Sequence, residues 1–125
     1  MIPMENIPPQ LQNQIRLFQQ SRDSLQTVAV QKQQFELQVR ELTRTLEALE
    51  KTAEDQDVYR SVGAILVRVT DRPTLKTELS DQKETLEVRL KALERQENSL
   101  KDRLKDLQGQ IEKALGGRAG GLTEE

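Results

Sequence analysis

The stretch Val58-Tyr59-Arg60-Ser61-Val62-Gly63-Ala64-Ile65-Leu66-Val67-Arg68-Val69-Thr70 decides how the rest of the chain is read. Ile65, Val67 and Val69 alternate with Leu66, Arg68 and Thr70, the two-residue period of a strand, and β-branched side chains suit a pleated surface. Val58 to Val62 is a shorter run of the same kind. Between them, Gly63-Ala64 fits a two-residue loop, with Gly supplying the positive φ that the first position of a type II′ turn needs. Folding there sets Val62 opposite Ile65, Arg60 opposite Val67 and Val58 opposite Val69, with Tyr59 facing Arg68. A short buried helix is the alternative for so Val-rich a run.

Such a hairpin is not self-sufficient. An isolated pair of strands is marginal in water, and each edge is a row of unpaired N–H and C=O groups. This one is apolar on both faces. Two thin helices cannot cover it, so the sequence predicts that hairpins from several chains pair and that the protein is one subunit of an oligomer.

The flanks are helical. From Leu11 to Ala53 one heptad register holds. Position a carries Leu11, Phe18, Leu25, Lys32, Val39, Leu46 and Ala53; position d carries Gln14, Ser21, Val28, Phe35, Leu42 and Leu49. Neither Gly nor Pro interrupts it. At ~1.5 Å per residue this arm is roughly 65 Å long, and a sustained seven-residue period predicts a left-handed supercoil. Pro8 or Pro9 marks its start, because Pro is accepted in a first helical turn. After the hairpin, Asp71-Arg72-Pro73 signals a second helix with Asp71 as N-cap. There Leu79, Leu86, Leu93, Leu100, Leu107 and Ala114 occupy d, and Lys76, Lys83, Leu90, Glu97, Leu104 and Ile111 occupy a. Gly116-Gly117 is the expected helix stop.

The two registers agree with each other. One antiparallel alignment sets Leu46 opposite Leu79, Val39 opposite Leu86, Phe35 opposite Leu90, Leu25 opposite Leu100, Phe18 opposite Leu107 and Leu11 opposite Ala114. Every a position then meets a d position. The alignment also places Lys32 and Glu97 in neighbouring layers, where a contact between them would fix register; two independently snorkelling side chains are the plainer alternative.

The fold class expected is mainly α: a long antiparallel two-helix coiled coil with one β-hairpin insert that assembles into an intersubunit β-barrel. The layout is an apolar N-terminal segment over 1–9, a first helix over 10–54, the hairpin insert over 55–71, a second helix over 72–115 and a flexible Gly-containing tail over 116–125. Composition agrees. Of 125 residues, 32% are charged and only 2% aromatic, too little bulk for a compact core and typical of a coiled coil.

Chemistry is scarce. With no Cys and no His, disulfides, thiolate or imidazole metal sites and catalytic Cys or His are excluded. A net charge of −2 with both signs interspersed predicts no strong attraction to nucleic acid or to an anionic membrane. No apolar run is long enough to cross a bilayer and no signal-peptide core is readable, so the cytoplasm is the expected location. Glu54, Asp55 and Asp57 read as a solvated charge run, with no calcium-loop or phosphate-cradling pattern beside them. No catalytic residue, cofactor or metal is expected. The informative residues lie at the free ends of the arms: Ile2, Met4, Ile7, Leu11, Ile15, Phe18, Leu107, Ile111 and Leu115. A two-helix tip covers only one stripe of each partner. These residues therefore read either as a hydrophobic clamp for non-native protein or as a tip that closes on itself.

The chain resembles the β class of the archaeal-type prefoldin family. The residues that carry the resemblance are Glu5-Asn6-Ile7-Pro8-Pro9-Gln10, Val30-Gln31-Lys32-Gln33, Asp57-Val58-Tyr59-Arg60-Ser61-Val62-Gly63 with Ile65-Leu66-Val67-Arg68, and Thr85-Leu86-Glu87 with Leu93-Glu94-Arg95-Gln96-Glu97. One hairpin rather than two fits the β class. The resemblance implies a hexamer of two α-class and four β-class subunits whose hairpins build β-barrels. It implies an ATP-independent co-chaperone that binds unfolded polypeptide at coiled-coil tips and delivers it to a group II chaperonin. Carried onto this chain, the assembly residues are Val58, Tyr59, Val62, Ile65, Leu66, Val67 and Val69, and the client contacts are the nine end residues named above. The alternative is a structural scaffold or tether with one defined partner.

Overall fold

The computed structural model describes residues 7–118. The element order is α1 (Pro9–Lys51), β1 (Tyr59–Val62), β2 (Ile65–Arg68) and α2 (Arg72–Arg118). Two units are distinguishable. One, the hairpin unit, is Lys32–Ala92; the other, the terminal unit, combines Met1–Gln31 with Leu93–Glu125.

In the hairpin unit the seam is the expected one. Lys32, Phe35, Val39, Leu42, Leu46 and Leu49 on α1 are half-buried, as are Leu79, Lys83, Leu86 and Leu90 on α2, while the residues between them are mostly exposed. Spacings of three and four keep one narrow stripe of each helix turned to its partner, the geometry of coiled-coil packing. The antiparallel alignment is fixed at the stem. Arg72 Nη1 donates to Ala53 O at 2.9 Å, and Lys76 pairs with Glu50.

Two seam positions differ from expectation. Ala53 and Lys76 are exposed, and Thr52 and Leu75 are half-buried in their stead. Helix α1 ends at Lys51, three residues before the expected boundary at 54, so Ala53 no longer belongs to a helical face. Thr52 Oγ1 instead donates back to Ala48 O at 2.7 Å. Lys76 is drawn outward to the Glu50 carboxylate.

The hairpin register matches the reading residue for residue: Tyr59 faces Arg68, Arg60 faces Val67, Ser61 faces Leu66 and Val62 faces Ile65. Gly63 has φ +58° and no non-glycine residue has positive φ among the described residues, as a type II′ turn requires. Val69 N donates to Val58 O at 2.8 Å and carries the pairing past the strands proper. Asp71 caps α2 as expected. Its Oδ1 accepts from Thr74 N at 3.1 Å and its Oδ2 from Thr74 Oγ1 at 2.7 Å. These bonds hold the Asp71 carboxyl below its ordinary pKa, the hydroxyl contributing most.

In the terminal unit the seam residues are Leu11, Gln14, Phe18, Ser21, Leu25 and Val28 on α1, with Leu93, Glu97, Leu100, Leu104, Leu107, Ile111 and Ala114 on α2, all buried or half-buried. Helix α1 begins at Pro9, and Gln12 N closes its first turn on Pro8 O at 3.0 Å. Helix α2 runs through Gly116-Gly117 to Arg118, past the stop expected at 115. Glycine costs only about 1 kcal/mol in a helix and ends one chiefly when it adopts a left-handed conformation. Neither Gly116 nor Gly117 has positive φ, since Gly63 is the one described glycine that does.

Candidate functional site

The hairpin is the more open of two candidate surfaces. All eight strand residues are exposed. Five of them are large and apolar or aromatic: Tyr59, Val62, Ile65, Leu66 and Val67, with Leu66 71% exposed. Only the flanking Val58 and Val69 are half-buried. The Val69–Val58 bond sets the alternation of the ladder. It makes Arg60–Val67 and Val62–Ile65 the hydrogen-bonded pairs and turns the backbone groups of Tyr59, Ser61, Leu66 and Arg68 outward along the two edges.

Beneath β1 lies a groove of about 340 Å³, walled by Val58, Tyr59 and Ser61 and floored by Ala48, Leu49, Leu75 and Leu79. Charged neighbours flank both strands: Arg68 Nη2 of β2 meets Asp57 Oδ1 at 3.0 Å, and Arg60 Nη1 of β1 meets Glu78 Oε2 at 3.4 Å. Asp57 thus works as an ion-pair partner of the hairpin. Among the described residues no group of three or more His, Cys, Asp or Glu could hold a metal ion, and no helix is long and apolar enough to cross a membrane.

Sequence reasoning did not find the groove. Its floor comes partly from seam leucines and partly from Thr45, Ala48 and Thr52. That run of small side chains on one face of α1 is the signal that was available.

The second surface is the end of the helix pair in the terminal unit. Of the nine expected client contacts, Ile2 and Met4 lie outside the described residues. Ile7, Leu11 and Leu107 are buried, at 8%, 3% and 7% exposure. Ile15, Phe18, Ile111 and Leu115 are half-buried. All the described members are therefore buried or half-buried. Gln12 Nε2 donates to Ile7 O at 2.7 Å, and Gln14 Nε2 donates across the pair to Gln110 Oε1 at 3.0 Å.

Two long heptad-bearing helices around a solvent-open hairpin define a coiled-coil subunit with an unfinished sheet. A family model described as "Prefoldin subunit" matches residues 12–118, and the chain belongs to the prefoldin subunit family. It is 43% identical over 113 residues to the prefoldin subunit beta of Methanosarcina acetivorans, covering 90% of this chain and 96% of that one. It is likewise 43% identical to the prefoldin subunit beta of Thermococcus onnurineus, covering 94% of this chain and 100% of that one. Among solved structures it is similar to the prefoldin beta subunit from Thermococcus strain KS-1, with a TM-score of 0.77 at 42% identity, covering 88% of this chain and 96% of that one. The resemblance is thus to the β class, and the helix–hairpin–helix fold is that of a β-class subunit.

Proposed function

We propose that this chain is the β-class subunit of an ATP-independent chaperone that holds unfolded polypeptide and delivers it to a group II chaperonin in the cytoplasm. Its partners are a prefoldin α-class subunit, two α and four β per hexamer, and non-native proteins. Nucleic acid, membrane and nucleotide have no part in it, and it is not an enzyme. The observation that carries the reading is the hairpin, where five of eight strand residues expose large side chains in the single chain. Pairing hairpins into an intersubunit β-barrel removes both the apolar surface and the open edges. Val58, Tyr59, Val62, Ile65, Leu66, Val67 and Val69 are the residues assigned to that assembly.

Client binding is assigned to Ile2, Met4, Ile7, Leu11, Ile15, Phe18, Leu107, Ile111 and Leu115. Several copies in one assembly each offer a weak apolar contact, and linkage raises the effective concentration of the next contact. The burial of Ile7, Leu11 and Leu107 favours the rival reading, a scaffold whose closed helix ends meet one defined partner. Deleting residues 1–10 and 112–125 separates the two. Under the chaperone reading, suppression of aggregation is lost across unrelated clients while the hexamer persists. Loss of a single partner with general suppression intact supports the scaffold.

A further inference from the structure

Large apolar side chains are rare on the outside of the helices. Apart from the hairpin, the exposed ones among the described residues are Val30, Leu37 and Val88. Leu37 and Val88 both belong to the hairpin unit and are 50% and 62% exposed. The alignment that sets Val39 opposite Leu86 also puts Leu37 level with Val88. Both take the f position of their heptads, the one turned farthest from the seam, so they lie on opposite outer faces of the helix pair. We propose that these two faces are the halves of one contact, in which the α1 face of one copy packs against the α2 face of a neighbouring copy of the same chain. The proposal rests on the hairpin-assembly reading and adds to it a second contact, between arms.

Charge complementarity identifies the occupant. On the hairpin side of Leu37, α1 exposes Arg40 and Arg44; on the hairpin side of Val88, α2 exposes Asp81 and Glu84. Closer to the stem, charges are matched within the chain, Glu50 with Lys76 and Glu78 with Arg60. Arg40, Arg44, Asp81 and Glu84 have no ion-pair partner among the described residues. Hairpins gathered into one hub send their helix pairs out side by side, with α1 of one copy antiparallel to α2 of the next. Residues equally far from the hairpins are then level, so the alignment within a chain is repeated between chains. Leu37 meets Val88 and Arg44 meets Asp81, each f against f. Arg40 and Glu84, both b, share one flank of the contact, and Glu41 falls on the other flank beside uncharged Thr85. The Val88 face is also recessed: an open depression of about 410 Å³, lined by Asp81, Glu84, Thr85, Val88 and Arg89, leaves room for the Leu37 side chain. The contact is heterologous, one face against a different one, so it can pass from neighbour to neighbour around a closed hub. Exposed ion pairs add little affinity but set register and partner. The contact therefore spaces neighbouring arms beside the hub, while the sheet holds the subunits together.

The test uses the full chain co-assembled with an α-class subunit. The chain has no cysteine, so a Leu37→Cys version and a Val88→Cys version are mixed in one assembly and treated with a short bismaleimide. Cross-linked dimers containing one chain of each version are expected, in a yield independent of assembly concentration. Either version alone gives none, because Leu37 never meets Leu37 in this contact, nor Val88 Val88. Adding Arg44→Glu to the first version lowers the yield about fivefold, and adding Asp81→Arg to the second restores it. The yield of the parent pair also falls as salt is raised. Native mass and helical circular dichroism, unchanged throughout, show that assembly and fold persist. An intact assembly without mixed dimers overturns the arm contact and leaves hairpin assembly standing. Dimers formed equally by one version alone, or a yield indifferent to Arg44→Glu, overturn it too. Failure of the parent chain to assemble with the α-class subunit overturns the hairpin reading, and the arm contact with it.

Discussion

Replacing Leu66 with Thr isolates the assembly surface from the fold of the single chain. Leu66 is 71% exposed and its backbone groups face the β2 edge, so its side chain contributes little to the hairpin on its own. Thr is β-branched and so favours a strand. An exposed substitution of this kind changes the stability of the chain itself by no more than about 0.5 kcal/mol. In the assembly the arithmetic is different. Full burial of a Leu side chain is worth about 1.5–3 kcal/mol, and most of that burial is still outstanding. The variant also carries a hydroxyl into the proposed barrel. Together these weaken each hairpin–hairpin contact by about 2 kcal/mol, roughly thirtyfold in its dissociation constant. Sedimentation of the chain with its α-class partner, across a range of concentrations, reads that shift directly. An unchanged assembly midpoint, with Leu66→Thr fully incorporated, refutes the reasoning.

Three further outcomes follow from the geometry. Gly63 sits at φ +58° with open space around it, so Gly63→Val is penalised by backbone strain alone, about 1–2 kcal/mol, and Gly63→Asn by less; the order of assembly midpoints checks this. Asp71 has a lowered folded-state pKa because Thr74 bonds its ionised form, so the unfolded chain takes up the proton first. Its contribution is full above the ordinary value of 3.8 and is lost as the pH falls through the folded value. The Tm difference between parent and Asp71→Ala therefore shrinks as the pH is lowered below 3.8. Leu107, 7% exposed, is the buried α2 residue among the described residues of the terminal unit; Leu107→Ala lowers unfolding stability by about 2–3 kcal/mol, measurable by urea titration.

Most of the fold was legible because it depends on local periodicity. The seven-residue spacing of Leu79, Leu86, Leu93 and Leu100 leaves one stripe to bury, and the two-residue alternation around Gly63-Ala64 permits one register. Boundaries were less legible. The end of α1 at Lys51 is set by hydrogen bonds among Leu49, Thr52, Ala53 and Gln56, which no period encodes. The passage of α2 through Gly116-Gly117 turns on backbone angles that Gly leaves open. The exposure of the hairpin was readable, since two thin helices cannot cover a hairpin so apolar on both faces. The state of the helix ends was not. Leu11 and Leu107 fall on the seam, but a heptad does not say whether the last layers of a helix pair stay closed, and Ile7 precedes the first heptad.

The most direct measurement is hydrogen exchange of the backbone amides of residues 59–62 and 65–68, on the chain alone and in complex with an α-class subunit. Rapid exchange in the isolated chain and strong protection in the complex are expected, with native mass reporting the hexamer. Strong protection of the same amides in a well-folded monomer at micromolar concentration would contradict the claim that the sheet is completed only by other subunits.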